Sequence, residues 1–260
     1  MERRRFGSTD LRVSPLGVGG GYGIGPDALE FAFDQGINYF FWAPWLPTYR
    51  NMRRGLLRLI PGHRDEVVIA TCSYFWGIPG SLERSLHRHL KRLKTDYIDI
   101  FQLGMVRSLK HQKAFEQLVT FKEKGLIRYV GISTHDRRLA ATVAKEWPID
   151  ILMIRYNAAR RGAEEEVFPY TQGGGPAIVA FNTTRHAALL KRPREWPEDR
   201  PVPSAADCYR FVLSHPQVDL CLTGPRARRH MDDVIAALEA GPLDQDGLAF
   251  MRKFADFICG

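Results

Sequence analysis

The side chains able to do chemistry stand apart from one another along this sequence. His135 is followed directly by Asp136, which offers a general base with a carboxylate beside it. Adjacent residues rarely face one another, however, and a histidine just past a strand is usually only hydrogen-bonded. Arg155 falls inside the apolar run Met153-Ile154-Arg155-Tyr156-Asn157, where a guanidinium needs a carboxylate or an anionic ligand. A structural ion pair is the simpler expectation. Cys72 is a nucleophile by type, but with no assured histidine beside it the thiol should titrate near or above its free value and serve as core filler. With Cys208, Cys221 and Cys259 it forms no C-x-x-C, so reduced core thiols are expected rather than a disulfide framework or a metal cluster. Late in the chain, Thr223-Gly224-Pro225-Arg226-Ala227-Arg228-Arg229 runs into a helical pattern. Three arginines at a helix start, where N–H groups lack partners, fit an anion site, and the plainer alternative is a basic helix start that keeps the surface soluble.

A scaffold has to position these groups, and composition bounds what it can be. A chain of 260 residues, 45% hydrophobic, can build a full core without disulfides or metals. Its net charge of +8 is spread over what read as solvent faces of helices. In Ser81 to Leu93, leucines recur at helical spacing and charges fill the remainder, and no nucleic-acid recognition motif accompanies the charge, so nucleic acid is not an expected partner. No apolar run approaches the roughly 20 residues that cross a bilayer, and Met1-Glu2-Arg3-Arg4-Arg5 leads into a polar turn rather than a signal segment. A cytoplasmic location with no membrane partner is expected.

Short β-branched or aromatic runs alternate with amphipathic stretches. The candidate strands are Leu16 to Gly19, Asn38 to Trp42, Val67 to Cys72, Ile98 to Leu103, Tyr129 to Ser133, Ile151 to Ile154, Ile178 to Phe181 and Leu220 to Thr223. The alternation predicts an α/β fold, a (β/α)8 TIM barrel in a single domain over 1–260. Arg4-Arg5-Phe6 and Leu11-Arg12-Val13 around a Gly7-to-Asp10 turn predict an N-terminal β-hairpin that caps the barrel. Asp27 with Glu30, and Ser204 with Asp207, read as capping boxes. Gln172 to Pro176 reads as a flexible connection and Lys191 to Pro203 as a charged loop.

With the barrel in place, several motifs resemble those of the aldo/keto reductase family along nearly the whole chain. They are Phe6-Gly7-Ser8-Thr9-Asp10-Leu11-Arg12-Val13-Ser14 with Leu16-Gly17-Val18-Gly19-Gly20, then Gly36-Ile37-Asn38-Tyr39-Phe40. Further on come Ser81-Leu82-Glu83-Arg84-Ser85-Leu86, Leu93-Lys94-Thr95-Asp96-Tyr97-Ile98-Asp99, Gly125-Leu126-Ile127-Arg128-Tyr129-Val130-Gly131-Ile132-Ser133 and Tyr156-Asn157. The resemblance implies hydride transfer from NADPH to a carbonyl, with a tyrosine as proton donor. In the family a lysine paired with an aspartate lowers the tyrosine pKa, and a histidine orients the carbonyl. Matched residue by residue, the aspartate falls on Phe41, the tyrosine on Leu46, the lysine on Cys72 and the histidine on Gly104. No tetrad member is left, and no unpaired charge is left behind either. Tyr49, three residues past the tyrosine position, is a weak replacement acid because no Lys or His neighbours it in the matched site.

The same resemblance implies an NADP(H) site with a weakened nicotinamide end. Ser133 matches a carboxamide anchor, while Thr134 and Met153 replace the other two, and Phe181 supplies the stacking platform. Gly19, Gly20, Asn182, Gly224, Arg226, Arg228 and Asp233 complete the implied cofactor residues, with Val234 replacing an asparagine. Gln102, His135, Asp136, Arg155, Asn157, Asn182, Thr183 and Arg185 are expected at the open face. Two functions follow. One is an aldo/keto reductase-like, oxidoreductase-fold protein whose tetrad is replaced. The other is a non-catalytic module that holds a dinucleotide, another small molecule or a protein partner for regulation. A hydrolase or lyase using Cys72, His135 or Arg155 is a weaker third, since nothing in the sequence assembles those groups.

Overall fold

The fold was analysed in a computed structural model that describes residues 2–259, the His111 side chain aside. The chain opens on an antiparallel hairpin, β1 (Arg4–Arg5) and β2 (Arg12–Val13), and continues into eight parallel strands. These are β3 (Leu16–Gly19), β4 (Tyr39–Phe41), β5 (Val68–Ser73), β6 (Ile98–Leu103), β7 (Ile127–Thr134), β8 (Ile151–Arg155), β9 (Ala177–Phe181) and β10 (Leu220–Thr223). They pair in chain order, and β10 returns to pair with β3, closing the barrel. Every residue of β5 and β6 is buried, as expected of parallel strands covered by side chains on the inside and helices on the outside. The outer helices are α1 (Pro26–Asp34), α2 (Tyr49–His63), α3 (Ser81–Leu93), α4 (Gln112–Glu123), α5 (Arg137–Glu146), the short α6 (Ala163–Glu166), α7 (Ala205–Leu213), α8 (Arg229–Ala240) and α9 (Gln245–Cys259).

The hairpin seals the end where the strands begin. Phe6 is fully buried, edge-on to Tyr39 of β4 at 5.8 Å between ring centres. Gly7 makes the turn at φ +55°, and its N–H donates to Asp219 Oδ1 at 3.3 Å. A Cβ there would meet Ala177 at 2.7 Å, so only glycine satisfies both the turn and the approach. At the same end Asp99 of β6 accepts from Arg64, from Arg128 and from the Ile69 N–H, and these bonds offset part of the cost of its burial.

The two expected helix starts differ. At α7 the capping box is present, the Asp207 N–H donating to Ser204 Oγ at 3.1 Å and the Ser204 N–H to Asp207 Oδ2 at 2.9 Å. At α1 the expectation fails. Gly25 is the cap, Pro26 occupies the first turn, and Asp27 lies inside the helix, ion-paired to Arg58 at 2.7 Å. The physical reason is that proline presets its own φ and has no N–H to satisfy, so the helix starts before Asp27. On α3, His89 joins the buried leucines rather than the solvent face, between Trp42 and Phe101 and 3.3 Å from Thr71 Oγ1. Burial, with Arg92 and Arg88 nearby, lowers its pKa to about 3.

One further expectation, that of four core thiols, needs correction. Cys72, Cys208 and Cys221 are buried thiols, but Cys259 is exposed at the end of α9. The Lys191-to-Pro203 loop is anchored by Trp196, which is buried edge-on to Phe254 at 4.8 Å and donates its indole N–H to the Pro201 carbonyl. Apolar aromatic surface outweighs the loop's surrounding charge. Among the described residues no helix is long and apolar enough to cross a membrane.

Candidate functional site

The site lies where the strands end. Phe41 is the last residue of β4, Cys72 sits one residue from the end of β5, and Gly104 follows β6, its N–H donating to the Ser73 carbonyl at 2.8 Å. Leu46 lies in the loop before α2, packed on the core. Phe41 and Cys72 are buried, and the space beside Gly104 is taken. A Cβ on residue 104 would stand 2.6 Å from Cε1 of Tyr74, so that ring covers the position. The Trp76 indole N–H donates to the Gly104 carbonyl at 2.9 Å, and Trp45 stacks edge-on to Tyr74 at 5.4 Å. Burial pushes the Cys72 thiol up to about 12, which makes it a poor nucleophile at neutral pH.

Tyr49 begins α2 and is nearly fully buried, its ring against Gly20. Burial, with Cys72 nearby, raises its pKa well above the usual phenol range, and the same causes raise that of Tyr74. A proton donor for carbonyl reduction needs the opposite shift.

Around the other half of the mouth, Ser133 and Thr134 end β7. The Ser133 carbonyl accepts from the Val106 N–H at 2.9 Å, and Thr134 Oγ1 donates to the Val106 carbonyl at 2.8 Å, so this threonine ties down the segment after β6. Met153 is buried in β8 opposite Ser133. Phe181 ends β9 half-buried, its ring 5.4 Å from that of His135. Asn182, at φ +58°, accepts the His186 N–H on its side chain and the Asn157 amide on its carbonyl. Gly19 is buried at the end of β3, and Gly20 begins the turn that leads to Tyr22. The Tyr22 ring covers Gly224, with its hydroxyl 3.2 Å from His186 Nδ1.

Past Gly224, Arg226, Arg228 and Arg229 are exposed and form no ion pair among the described residues, although the Arg228 guanidinium lies over the Phe31 ring at 4.2 Å. Asp233 is exposed on α8. The structure thus brings Phe41, Cys72, Gly104, Tyr49 and Tyr74 to one side of the mouth, and Ser133, Phe181 and His135 to another. The arginine segment and Asp233 follow β10.

The expected polar open face is only partly there. Gln102, Asn157 and Thr183 are buried. Gln102 projects from a strand residue paired with Cys72 and Gly131, and neither of its amide atoms has a hydrogen-bond partner among the described residues. Asp136 caps α5, accepting from the Leu139 N–H at 3.1 Å, rather than orienting His135. Arg185 reaches Cys259 Sγ at 3.2 Å. Arg155 has no carboxylate partner among the described residues, which overturns the expected ion pair, and its Nε is buried without a hydrogen bond. The charged neighbours that bear on it are Arg160 and Arg137, which with burial lower its pKa. The sequence leaves open whether Tyr74 turns inward and gives no sign of Tyr22, because both directions depend on loop conformation. Sequence reasoning also passed over Arg107, Arg138 and Arg160, whose places just after β6, β7 and β8 are a readable signal.

The sequence profile of the aldo/keto reductase family matches residues 26–197. The chain is 27% identical over 214 residues to the uncharacterized oxidoreductase YqkF of Bacillus subtilis, covering 74% of this chain and 68% of that one. It is 24% identical to L-galactose dehydrogenase of Arabidopsis thaliana, covering 96% and 92%. Among solved structures, the holo form of an aldo-keto reductase from Bacillus halodurans superposes with a TM-score of 0.80 at 24% identity, covering 99% and 96%. One from Klebsiella pneumoniae, in complex with NADP and acetate, gives 0.78 at 22%, covering 98% and 95%. With its closed parallel barrel and this match over most of its length, the chain belongs to the aldo/keto reductase family.

Proposed function

We propose that this chain is an NADP(H)-binding member of the family that does not perform the family's tetrad-based carbonyl reduction. The observation that carries the reading is the filled mouth. Phe41, Leu46, Cys72 and Gly104 supply neither acid nor cation, and Tyr74 stands over Gly104. The two phenols nearby are pushed toward weaker acidity by burial. Such a site has no group matched to protonating an alkoxide near neutral pH.

The residues present fit the phosphate end of the cofactor better than its reactive end. Arg226, Arg228 and Arg229 have no ion pair among the described residues and stand at the start of α8, where N–H groups and guanidiniums favour a phosphate. Gly19, Gly20 and Gly224 offer backbone without side chains, Asp233 a carboxylate for the adenine side and Asn182 a polar edge next to Phe181. Phe181 offers a ring face, and Ser133 is the remaining matched carboxamide anchor, while Thr134 and Met153 are committed to packing. When bound, the cofactor supplies a hydride. The Klebsiella relative's NADP complex supports the cofactor assignment. The cytoplasm, where thiols stay reduced, is the compartment this reading assigns.

A second reading, a non-catalytic module for a protein partner, is supported by exposed apolar side chains on the loops after β4 and β5, namely Trp45, Phe75 and Ile78. Calorimetric titration with NADPH, NADP⁺ and 2′,5′-ADP separates the two. Binding of all three supports the cofactor reading, and failure of all three at millimolar concentration leaves the partner-binding module. The weak catalytic candidates Tyr49 and His135 are tested by activity on nitrobenzaldehydes, where turnover on the order of 10 per second would reinstate an acid in the mouth.

A further inference from the structure

A second group of arginines has no role in that reading. The segments after β6, β7 and β8 enclose a cleft of about 650 Å³ lined by Arg107, His135, Asp136, Arg137, Arg138 and Glu166, and an adjoining recess of about 10 Å³, room for no more than one water, is lined by Arg155 and Arg160. That volume is within the range of small-molecule sites. Three of the acidic and basic groups here are already committed. Arg137 is paired with Glu166 at 2.7 Å, and Asp136 accepts the Leu139 N–H as the α5 cap. Arg107, Arg138, Arg155 and Arg160 have no carboxylate partner among the described residues. Arg155 is the most telling, because its Nε is buried and unbonded at a strand end that faces the recess. The electrostatics agree with this proximity, since burial first, and then Arg155, Arg107 and Arg160, lower the His135 pKa.

Arg137 and Glu166 neutralise each other and Asp136 caps the helix, so Arg107, Arg138, Arg155 and Arg160 leave an excess of positive charge around the cleft. The arrangement persists at lowest cost where a ligand supplies negative charge. One carboxylate is satisfied by a single bidentate guanidinium, so several unpaired guanidiniums around one volume match a group with more charge and more acceptor oxygens. We propose that this cleft binds a small phosphate-bearing metabolite, its phosphoryl group held by Arg107 and Arg138, with Arg155 and Arg160 adding positive charge from the recess behind. The site is separate from the Arg226-to-Arg229 segment beyond β10 and does not depend on the cofactor reading.

The test is calorimetry on the full chain at low ionic strength, with inorganic phosphate and pyrophosphate as probes. Wild type should bind both, more weakly as salt is raised. Measured in an Arg226→Ala/Arg228→Ala background, which removes the phosphate site proposed after β10, the exposed double variant Arg107→Ala/Arg138→Ala and the inner variant Arg155→Gln/Arg160→Gln should each weaken binding by about tenfold or more. The exposed pair keeps the test decisive should the inner variant misfold, and 2′,5′-ADP binding, measured alongside, reports on the cofactor loop independently. Absence of phosphate and pyrophosphate binding at millimolar concentration overturns the proposal. So does binding that disappears in the Arg226→Ala/Arg228→Ala background, or that persists there undiminished in both cleft variants.

Discussion

Replacing Gly104 with alanine adds one methyl group where the Tyr74 ring already stands. The new Cβ would lie 2.6 Å from Cε1 and 2.7 Å from Cδ1, against roughly 3.5 to 4.0 Å for carbons in comfortable contact, so the ring must shift by about 1 Å. Gly104 is outside the positive-φ glycines, so alanine suits its backbone and by itself gains about 0.4 to 1 kcal/mol through the unfolded state. Overpacking in a filled site costs about 1 to 3 kcal/mol, and the ring therefore decides the sign. Gly104→Ala should destabilise by about 0.5 to 2 kcal/mol, and the melting temperature should fall by roughly 2 to 4 °C per kcal/mol. In a Tyr74→Ala background the obstacle is gone, and the same change should be neutral or stabilising. Urea denaturation of wild type, both single variants and the double variant measures this as a coupling energy of about 1 to 3 kcal/mol. An identical effect of Gly104→Ala in both backgrounds would mean that Tyr74 does not fill the mouth, and the reasoning built on it would fall.

His89 should make the fold acid-sensitive. Its pKa is about 3 in the folded chain against 6.5 for a free histidine, so the unfolded chain takes up the proton first as pH falls. Its contribution is fully present above pH 6.5 and is lost on acidification at about 1.4 kcal/mol per unit, roughly 3 kcal/mol by pH 4. Denaturation midpoints across this window should flatten in His89→Phe, and an unaltered pH slope would contradict the assignment. At the α8 segment, Arg226→Ala should narrow a preference for NADP(H) over NAD(H) by about tenfold, because a well-made charge-assisted hydrogen bond is worth roughly 1.5 to 3 kcal/mol. The fragment 2′,5′-ADP should bind nearly as well as the whole cofactor, and a large loss on removing the nicotinamide half would show that Ser133 and Phe181 hold more than proposed.

The barrel was legible because its signals are local and repeated. Runs such as Ile98 to Leu103 and Leu220 to Thr223 are apolar on both faces, which is what a strand covered on two sides requires, and their ends fall within two residues of the expected bounds. What was not legible depends on neighbours supplied by other elements. Asp27 had the right spacing for a cap, but Pro26 had already started the helix. His89 shares the helical spacing of Leu82, Leu86 and Leu93, yet only Trp42 and Phe101 from two strand segments explain why a histidine is tolerated there. Gln102 was expected at the open face because it precedes a strand end, whereas strand alternation and close packing keep it inside. Arg155 was rightly marked as a charge needing a partner, but its surroundings turned out to be other arginines. The side chains that reshape the mouth, Tyr74 and Tyr22, lie in loops whose course no periodicity encodes.

The central claim is that the chain binds NADP(H) and does not turn over carbonyls through the family tetrad. Both halves are read in one titration of the purified protein with NADPH, followed by nicotinamide fluorescence and absorbance, before and after adding a nitrobenzaldehyde. Saturable NADPH binding that competes with 2′,5′-ADP is expected, with the NADPH absorbance unchanged over many minutes after the aldehyde is added. Absence of binding at millimolar NADPH, or oxidation of the bound cofactor at a rate on the order of 10 per second, contradicts this.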